Sequence, residues 1–333
     1  MSSLPTLLII GCGSIGERHL RTFLATGRCQ AIACDNRPAI LAAMAERYQV
    51  PTAADWRAAL AERELLAAVV ATPAPSHVAI ASEILRTRRH CLIEKPLALT
   101  LDGMDALTAA QAGSGRAAAI AYVHHFRPEV AAARAYLQTG ALGRVLHASV
   151  VSGQDFPFFR PAYREIYYRD PAQGGGAIQD ALTHLANLME WFVGPTAALS
   201  CEAGHQALAG VEVEDTVVVA GRSRDGAIVS WSLNQFQAPN ETTLQFNAER
   251  GSVIVEYHRQ RWGRVARGER DWTWEAFPPA GRDDPFVAQA NAFLDLCAGQ
   301  PSPCATLAEG IQAVRFNLAA FESLRTGRRV EIR

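Results

Sequence analysis

From residue 6 to about residue 123 the chain alternates short apolar runs with amphipathic stretches. Thr6–Ile10, Ala31–Cys34, Ala67–Ala71, His90–Ile93 and Ala117–Val123 are apolar over four to seven residues. That is the pattern of strands buried on both faces. Between them, Ile15–Thr26, Pro38–Tyr48, Ser76–Leu85 and Leu101–Ala112 read as helices. Pro38 is tolerated in a first turn and Ser76 serves as an N-cap. Buried strands alternating with helices predict an α/β domain with a doubly wound parallel sheet.

Beyond Pro128 the pattern changes. A helix is predicted over Glu129–Gln138 and a long strand over Val145–Gly153. A loop rich in aromatics and prolines follows, Phe156–Gln173, its Phe156–Phe159 run read as packing. Gly174-Gly175-Gly176 leads into a helix over Ala177–Phe192. From Ala197 to about Trp274 strands succeed one another, with turns near Asp225-Gly226, Pro239-Asn240 and Arg250-Gly251. Two helices, Phe286–Ala298 and Leu307–Arg325, and a strand at Arg329–Ile332 close the chain. The expected division is a first domain over 1–123 and an α+β domain with a large, mostly antiparallel sheet over 124–333, its last segment packing back near the first domain.

The 333 residues carry a formal net charge of −1 without a block of like charge. This argues against a nucleic-acid platform or a membrane-surface binder. Seven cysteines form no C-x-x-C pair and read as reduced thiols. Met1–Ile10 has no basic leader, and no uncharged apolar run nears the roughly 20 residues of a membrane span. The expected location is cytoplasmic.

Gly11-Cys12-Gly13-Ser14-Ile15-Gly16 follows the first strand and opens the first helix, the context in which G-x-G-x-x-G binds a dinucleotide. Gly11 permits the turn, Gly13 the approach of the pyrophosphate and Gly16 close helix–strand packing, with phosphate at the helix N-terminus. Asp35, nineteen residues after Gly16, is placed to accept hydrogen bonds from an adenosine ribose and to repel a 2′-phosphate. Arg37 is near enough to pair with such a phosphate. The fingerprint therefore predicts a Rossmann domain binding NAD, with NADP also admitted.

Of the 32 basic residues one is lysine, Lys95. It follows Glu94 and precedes Pro96 at the end of an apolar strand, the edge at which open α/β sheets bind ligands. An ammonium can give up its proton on desolvation where a guanidinium cannot. Asp180 and His184 are four residues apart, so on a helix they share a face, and an imidazole titrates where proton transfer from a hydroxyl is useful.

These motifs resemble the Gfo/Idh/MocA family, which includes glucose–fructose oxidoreductase and inositol 2-dehydrogenase. Glu94-Lys95-Pro96 resembles its lysine motif. Thr72-Pro73-x-x-x-His77 resembles its segment along the cofactor, and Tyr122-Val123-His124-His125-Phe126-x-Pro128 its exit from the nucleotide domain. Gly174-Gly175-Gly176 with Asp180-x-x-x-His184 resembles its second-domain catalytic motif, and Thr326-Gly327-Arg328-Arg329-Val330 its ending. Two positions depart from it: Asn187 stands where an aspartate is usual, and His125 where arginine is common.

The resemblance implies an NAD(P)-dependent dehydrogenase or reductase acting on a carbinol or ketone of a sugar, sugar derivative or cyclitol. Lys95, Asp180 and His184 are the expected catalytic residues, the proton acceptor being His184 or Lys95. Gly11, Gly13, Ser14, Ile15, Gly16, Asp35, Arg37, Thr72, Pro73, His77, Glu94 and Lys95 are expected at the cofactor. His124, Tyr163, Tyr167, Arg169 and Asn234 are expected at the substrate, with Tyr168, Gln235 and Asn240 further polar candidates. No zinc-ligand spacing is present, so no metal is expected. A homodimer or homotetramer is expected, with no nucleic-acid or membrane partner. Two other readings stay open: a glycoside hydrolase assisted by bound NAD, and a non-catalytic dinucleotide-binding sensor.

Overall fold

A computed structural model describes residues 4–333. The chain forms two compact units, one running to Phe126 and including Gly281–Ile311, the other comprising Arg127–Ala280 and Gln312–Arg333.

In the first unit the order is β1 (Thr6–Ile10), α1 (Ser14–Ala25), β2 (Gln30–Cys34), α2 (Pro38–Tyr48), β3 (Thr52–Ala53), α3 (Trp56–Glu62), β4 (Ala67–Val70), α4 (His77–Arg86), β5 (His90–Ile93), α5 (Met104–Ser114) and β6 (Ala118–Ile120). These strands form a parallel sheet in the order β6-β5-β4-β1-β2-β3. The order reverses at β1, so the turn leaving β1 opens at the point where such sheets bind nucleotides. Leu7, Ile9, Val69 and Leu92 are fully buried, and Leu20 and Phe23 of α1 pack on this side of the sheet.

The expected cut after residue 123 differs from this division at the segment 281–311. Phe293 meets Phe23 edge-on at 6.1 Å. Arg28 pairs with Asp295 at 2.7 Å, and Arg21 pairs with Asp283. Apolar contact and ion pairs thus fasten this late segment to α1.

The second unit contains α6 (Pro128–Gln138), β7 (Val145–Gly153), α7 (Phe156–Phe159), α8 (Thr183–Val193), β8 (Thr196–Gly204), β9 (Thr216–Ser223), β10 (Ile228–Asn234), β11 (Glu241–Ala248), β12 (Gly251–Glu256), β13 (Arg261–Ala266) and β14 (Thr273–Ala276). The chain then passes through the first unit as α9 (Asp284–Cys297) and β15 (Ala305–Thr306), which pairs antiparallel with β6. It enters the second unit within α10 (Leu307–Thr326) and ends in β16 (Val330–Glu331). The second sheet runs β14-β13-β12-β11-β7-β10-β9-β8-β16, antiparallel except for the β7–β10 pair. Strand alternation sends Val219, Trp231, Phe246 and Val255 into a core with Leu185 and Met189 of α8 and Phe316 of α10. Trp231 meets Phe316 edge-on at 5.0 Å.

Several predicted boundaries move. The helix expected from Leu101 starts at Met104, after Gly103 at φ 76°. The strand expected to reach Val123 stops at Ile120, and Val123–Phe126 is a 3₁₀ turn. Ser76 does not cap the following helix; its hydroxyl bonds Thr72 Oγ1 at 2.6 Å and the Pro73 carbonyl at 2.8 Å instead. The loop Phe156–Gln173 folds into α7 and three 3₁₀ turns. Phe156, Tyr163 and Tyr168 pack with Leu208, Val211 and Val213, whereas Phe158, also expected to pack, is 76% exposed.

Asp215, at the start of β9, is fully buried. It accepts from the amides of Gln206, Ala207 and Leu208 at 2.8–2.9 Å and from Thr216 Oγ1 at 2.9 Å. Asp215→Ala strands three amide donors, so urea unfolding is expected to show a loss of about 3 kcal/mol or more; a loss under about 1 kcal/mol contradicts this anchoring.

Candidate functional site

In the first unit β1 runs into Gly11, at φ 87°, and the helix begins at Ser14 with Gly13 as an extended N-cap. A Cβ on Gly16 would lie 1.7 Å from the Gly11 carbonyl oxygen, so helix and turn are in contact. At Gly13 the nearest atom to such a Cβ is Arg37 Nη2 at 4.0 Å. The backbone is therefore bare where a pyrophosphate would approach the helix N-terminus, and the cradle fits a dinucleotide.

Asp35 Oδ2 accepts from the Cys12 amide at 2.8 Å, and the Arg37 guanidinium grips both carboxylate oxygens at 2.8 Å. The Arg37 hydrogen bonds, with the Cys12 amide, bring the Asp35 carboxyl down to about 2 against the opposing effect of burial. Arg37, considered above as a partner for a 2′-phosphate, is committed to Asp35 here. Burial pushes the Cys12 thiol up to about 11, so it is inert at neutral pH.

Lys95 is half-buried in the turn leaving β5. Glu94, expected at the cofactor, lies inside the domain: Oε1 is 2.7 Å from His19 Nε2, and Oε2 accepts from the Lys95 amide at 3.0 Å. Burial opposes its ionisation, but His19 and the Lys95 charge and amide outweigh it and hold the carboxyl below its usual range. His77, also expected at the cofactor, is buried between the Thr72 carbonyl at 2.7 Å and the Pro96 carbonyl at 3.0 Å. Burial lowers its pKa. Glu94 and His77 support the loops from within. His124 is half-buried in its 3₁₀ turn, while His125 is buried, 3.0 Å from the Pro303 carbonyl.

In the second unit the helix predicted from Ala177 opens as a π-turn, Ile178–Leu182, before α8. Such turns concentrate at functional positions. Glu214, whose carboxyl burial raises, accepts from the Ile178 amide at 2.9 Å. Gly176, at φ 90°, lies against that carboxylate, where a Cβ would come within 2.6 Å. Asp180 is 1% exposed, takes 3.0 Å from Arg160 Nη1 and 2.5 Å from the Tyr167 hydroxyl, and is followed one turn later by half-buried His184.

Of the expected substrate residues, Tyr167 reaches Asp180. Tyr163 is buried and donates to the Ala209 carbonyl at 2.7 Å, so it is part of the core. Arg169 is exposed. Asn234 Oδ1 accepts from the Phe236 amide at 3.3 Å, closing its own turn. Tyr168 and Gln235 are buried and bonded to each other, and Asn240 is exposed. Asn187 is buried on α8. Sequence reasoning missed His19, Arg160 and Glu214. His19 had a signal, as a polar residue on the buried face of α1; Arg160 and Glu214 had none. Among the described residues no group of three or more His, Cys, Asp or Glu is arranged to hold a metal, and no helix is long and apolar enough to cross a membrane.

The first unit is a dinucleotide-binding α/β domain, and the second is an α+β domain built on a large sheet. The chain belongs to the GFO/IDH/MocA oxidoreductase family: its NAD-binding Rossmann-fold domain matches residues 6–122 and its C-terminal domain residues 130–254. The chain is 28% identical over 336 residues to a myo-inositol dehydrogenase of Streptomyces leeuwenhoekii, covering 97% of this chain and 98% of that one. It is 24% identical over 369 residues to the levoglucosan dehydrogenase of Pseudarthrobacter phenanthrenivorans, covering 95% of each. A structure of levoglucosan dehydrogenase with NADH and levoglucosan superposes with a TM-score of 0.89 at 21% identity, over 99% of this chain and all of that one.

The Asp35 carboxyl lies at about 2 in the folded chain, below an unfolded value of about 3.9. Its stabilisation is thus complete above about pH 4 and is lost as pH falls toward 2. Screening around the half-exposed Arg37 limits it to about 1–2 kcal/mol. Urea unfolding is expected to show wild type above Asp35→Asn by that amount at pH 7, the gap closing on acidification; a gap that ignores pH contradicts the assignment.

Proposed function

We propose that the protein oxidises a ring carbinol of a sugar, sugar derivative or cyclitol with NAD, or reduces the corresponding ketone. The carrying observation is Lys95: the one lysine of the chain stands at the carboxyl end of β5, its amide fixed by buried Glu94. Membership of an NAD-binding oxidoreductase family and relatives named for levoglucosan and myo-inositol, both polyhydroxylated rings, support the substrate class.

Bound NAD⁺ supplies the hydride acceptor. Lys95 donates a hydrogen bond to the reacting hydroxyl oxygen and stabilises the developing alkoxide. His184 takes the hydroxyl proton as general base. Asp180 accepts from the substrate and orients it. Gly11, Gly13, Ser14, Ile15 and Gly16 receive the pyrophosphate, Thr72 and Pro73 line the cofactor, and Asp35 accepts from the adenosine ribose. The Asp35 charge opposes a 2′-phosphate, so NAD is preferred over NADP. His124 and Arg169 are the polar groups assigned to the remaining hydroxyls, and Tyr167, whose hydroxyl donates to Asp180, acts through that carboxylate.

The protein acts in the cytoplasm as a homodimer or homotetramer. The sheet face opposite the helices supports self-association. Val218 and Ser232 are paired across β9 and β10, Ser232 and Val151 across β10 and β7, and both valines are exposed. Exposed valines on either side of a small serine on one sheet face suit pairing with a copy of itself.

In an assay of reduced-cofactor absorbance over inositols, aldoses and anhydrosugars, turnover with NAD is expected. Lys95→Arg is expected to fold normally yet lose at least tenfold in rate, the typical worth of such groups being about 10²–10⁴-fold; a variant keeping more than about a tenth contradicts the role. Release of sugar from an aryl glycoside without net NADH would favour the hydrolase reading, and NAD binding without any turnover the sensor. Sedimentation is expected to show a dimer or tetramer that Val151→Glu weakens; a wild-type monomer refutes the assembly.

A further inference from the structure

We propose that Arg160 and Tyr167 are positioning residues that hold Asp180 as an oriented hydrogen-bond acceptor, so that the segment Phe156–Gln173 governs how the second unit grips its substrate. This rests on the role given to Asp180 above.

Asp180 is a carboxylate almost wholly removed from water, and a buried carboxylate without donors is costly enough to neutralise or turn away. Two donors approach different oxygens: Arg160 Nη1 reaches Oδ2 at 3.0 Å and the Tyr167 hydroxyl reaches Oδ1 at 2.5 Å. With both oxygens engaged, rotation of the carboxylate breaks a charge-assisted bond. Both donors come from one segment, thirteen and twenty residues upstream.

That segment is itself fixed on its inner side. Tyr163 donates to the Ala209 carbonyl. Tyr168 packs on Phe156 with ring centroids 5.0 Å apart and bonds Gln235. The Arg160 guanidinium lies 4.9 Å from the Phe156 ring, and the Arg160 amide donates to the Phe156 carbonyl at 2.7 Å. Buried aromatics thus anchor the segment, while Arg160, its side chain 46% exposed, and Tyr167, a residue 42% exposed, bridge solvent and carboxylate. From the opposite side the Asp180 main chain is set by its amide bond to the Gly176 carbonyl at 3.0 Å, in a turn that Glu214 pins at Ile178. Backbone and side chain of Asp180 are therefore fixed by separate elements. Removing Arg160 or Tyr167 releases the carboxylate and leaves the turn in place.

The test is a pair of double-mutant cycles in the full-length protein. Steady-state kcat and KM for a polyol that the wild type turns over are measured for Asp180→Asn, Arg160→Met, Arg160→Lys, Tyr167→Phe and the doubles R160M/D180N and Y167F/D180N. Arg160→Met is expected to lose at least tenfold in kcat/KM, Tyr167→Phe at least threefold, and Arg160→Lys to recover part of the loss. Each double is expected to fall within twofold of Asp180→Asn alone, because a residue acting only through Asp180 has nothing left to position. NADH affinity is expected to stay at the wild-type value in all variants; the thermal midpoint is expected to fall in Arg160→Met, which leaves a buried carboxylate without its cation, and to stay near wild type in Tyr167→Phe. Multiplicative losses in the doubles, or wild-type kcat/KM in both Arg160→Met and Tyr167→Phe, overturn the inference. If Arg160→Met fails to fold, Tyr167→Phe, which removes a single hydroxyl, decides it alone. A wild type that turns over nothing in the polyol panel overturns the functional reading and this inference with it; an active wild type with multiplicative losses overturns the inference only.

Discussion

Glu94 is a carboxylate withdrawn almost entirely from water at the end of a central strand, and it is tolerable there because His19 and the Lys95 amide satisfy its two oxygens. An acid in that position without donors would be strongly destabilising, so the pairing fixes α1, β5 and the turn after β5 relative to one another. The same solution recurs at strand ends. Asp35 at the end of β2 is held by Arg37 and the Cys12 amide. Asp215 at the start of β9 is held by three amides and a hydroxyl. In each case the local loop geometry follows from where a carboxylate finds its donors.

This division of labour separates the groups proposed for the chemistry from the groups that hold them. Lys95 is half-exposed and Glu94 buried beside it in sequence; Asp180 is aimed by Arg160 and Tyr167 and its turn is pinned by Glu214. Glycine enters the second unit's turn for a related reason. At Gly176 the chain passes so close to the Glu214 carboxylate that a methyl group would displace it, and the π-turn carrying Asp180 would lose its pin. The glycine run is thus a condition of the acid's placement.

Much of this was legible in the chain. Strands buried on both faces show as uninterrupted apolar runs, so β1, β2, β4 and β5 were found nearly to the residue, and the glycine fingerprint with Asp35 identified the nucleotide domain. Local propensity could not show which late segment returns to the first unit, because the bonds from Arg21 and Arg28 to Asp283 and Asp295 span more than 260 residues. Nor could it sort the tyrosines: Tyr163, Tyr167 and Tyr168 sit in one irregular segment without a period, so alternation offers no guide to which face the core. Tyr163 and Tyr168 are buried in an aromatic cluster and only Tyr167 is turned toward Asp180. The same lack of period hid Arg160.

Glu94 and His77 mark a further boundary of sequence reasoning. Motif membership placed both at the cofactor, yet each spends its hydrogen-bonding capacity inside the domain. A motif records residues that must be present together, and a buried support is as necessary to a reactive turn as the group it supports. In Glu94-Lys95-Pro96 the acid holds the amide of the lysine, and buried His77 packs between the Pro96 and Thr72 carbonyls, 3.0 Å and 2.7 Å from its two ring nitrogens. Lys95 stands half-buried in a turn whose neighbours on both sides are committed to holding the backbone beneath it.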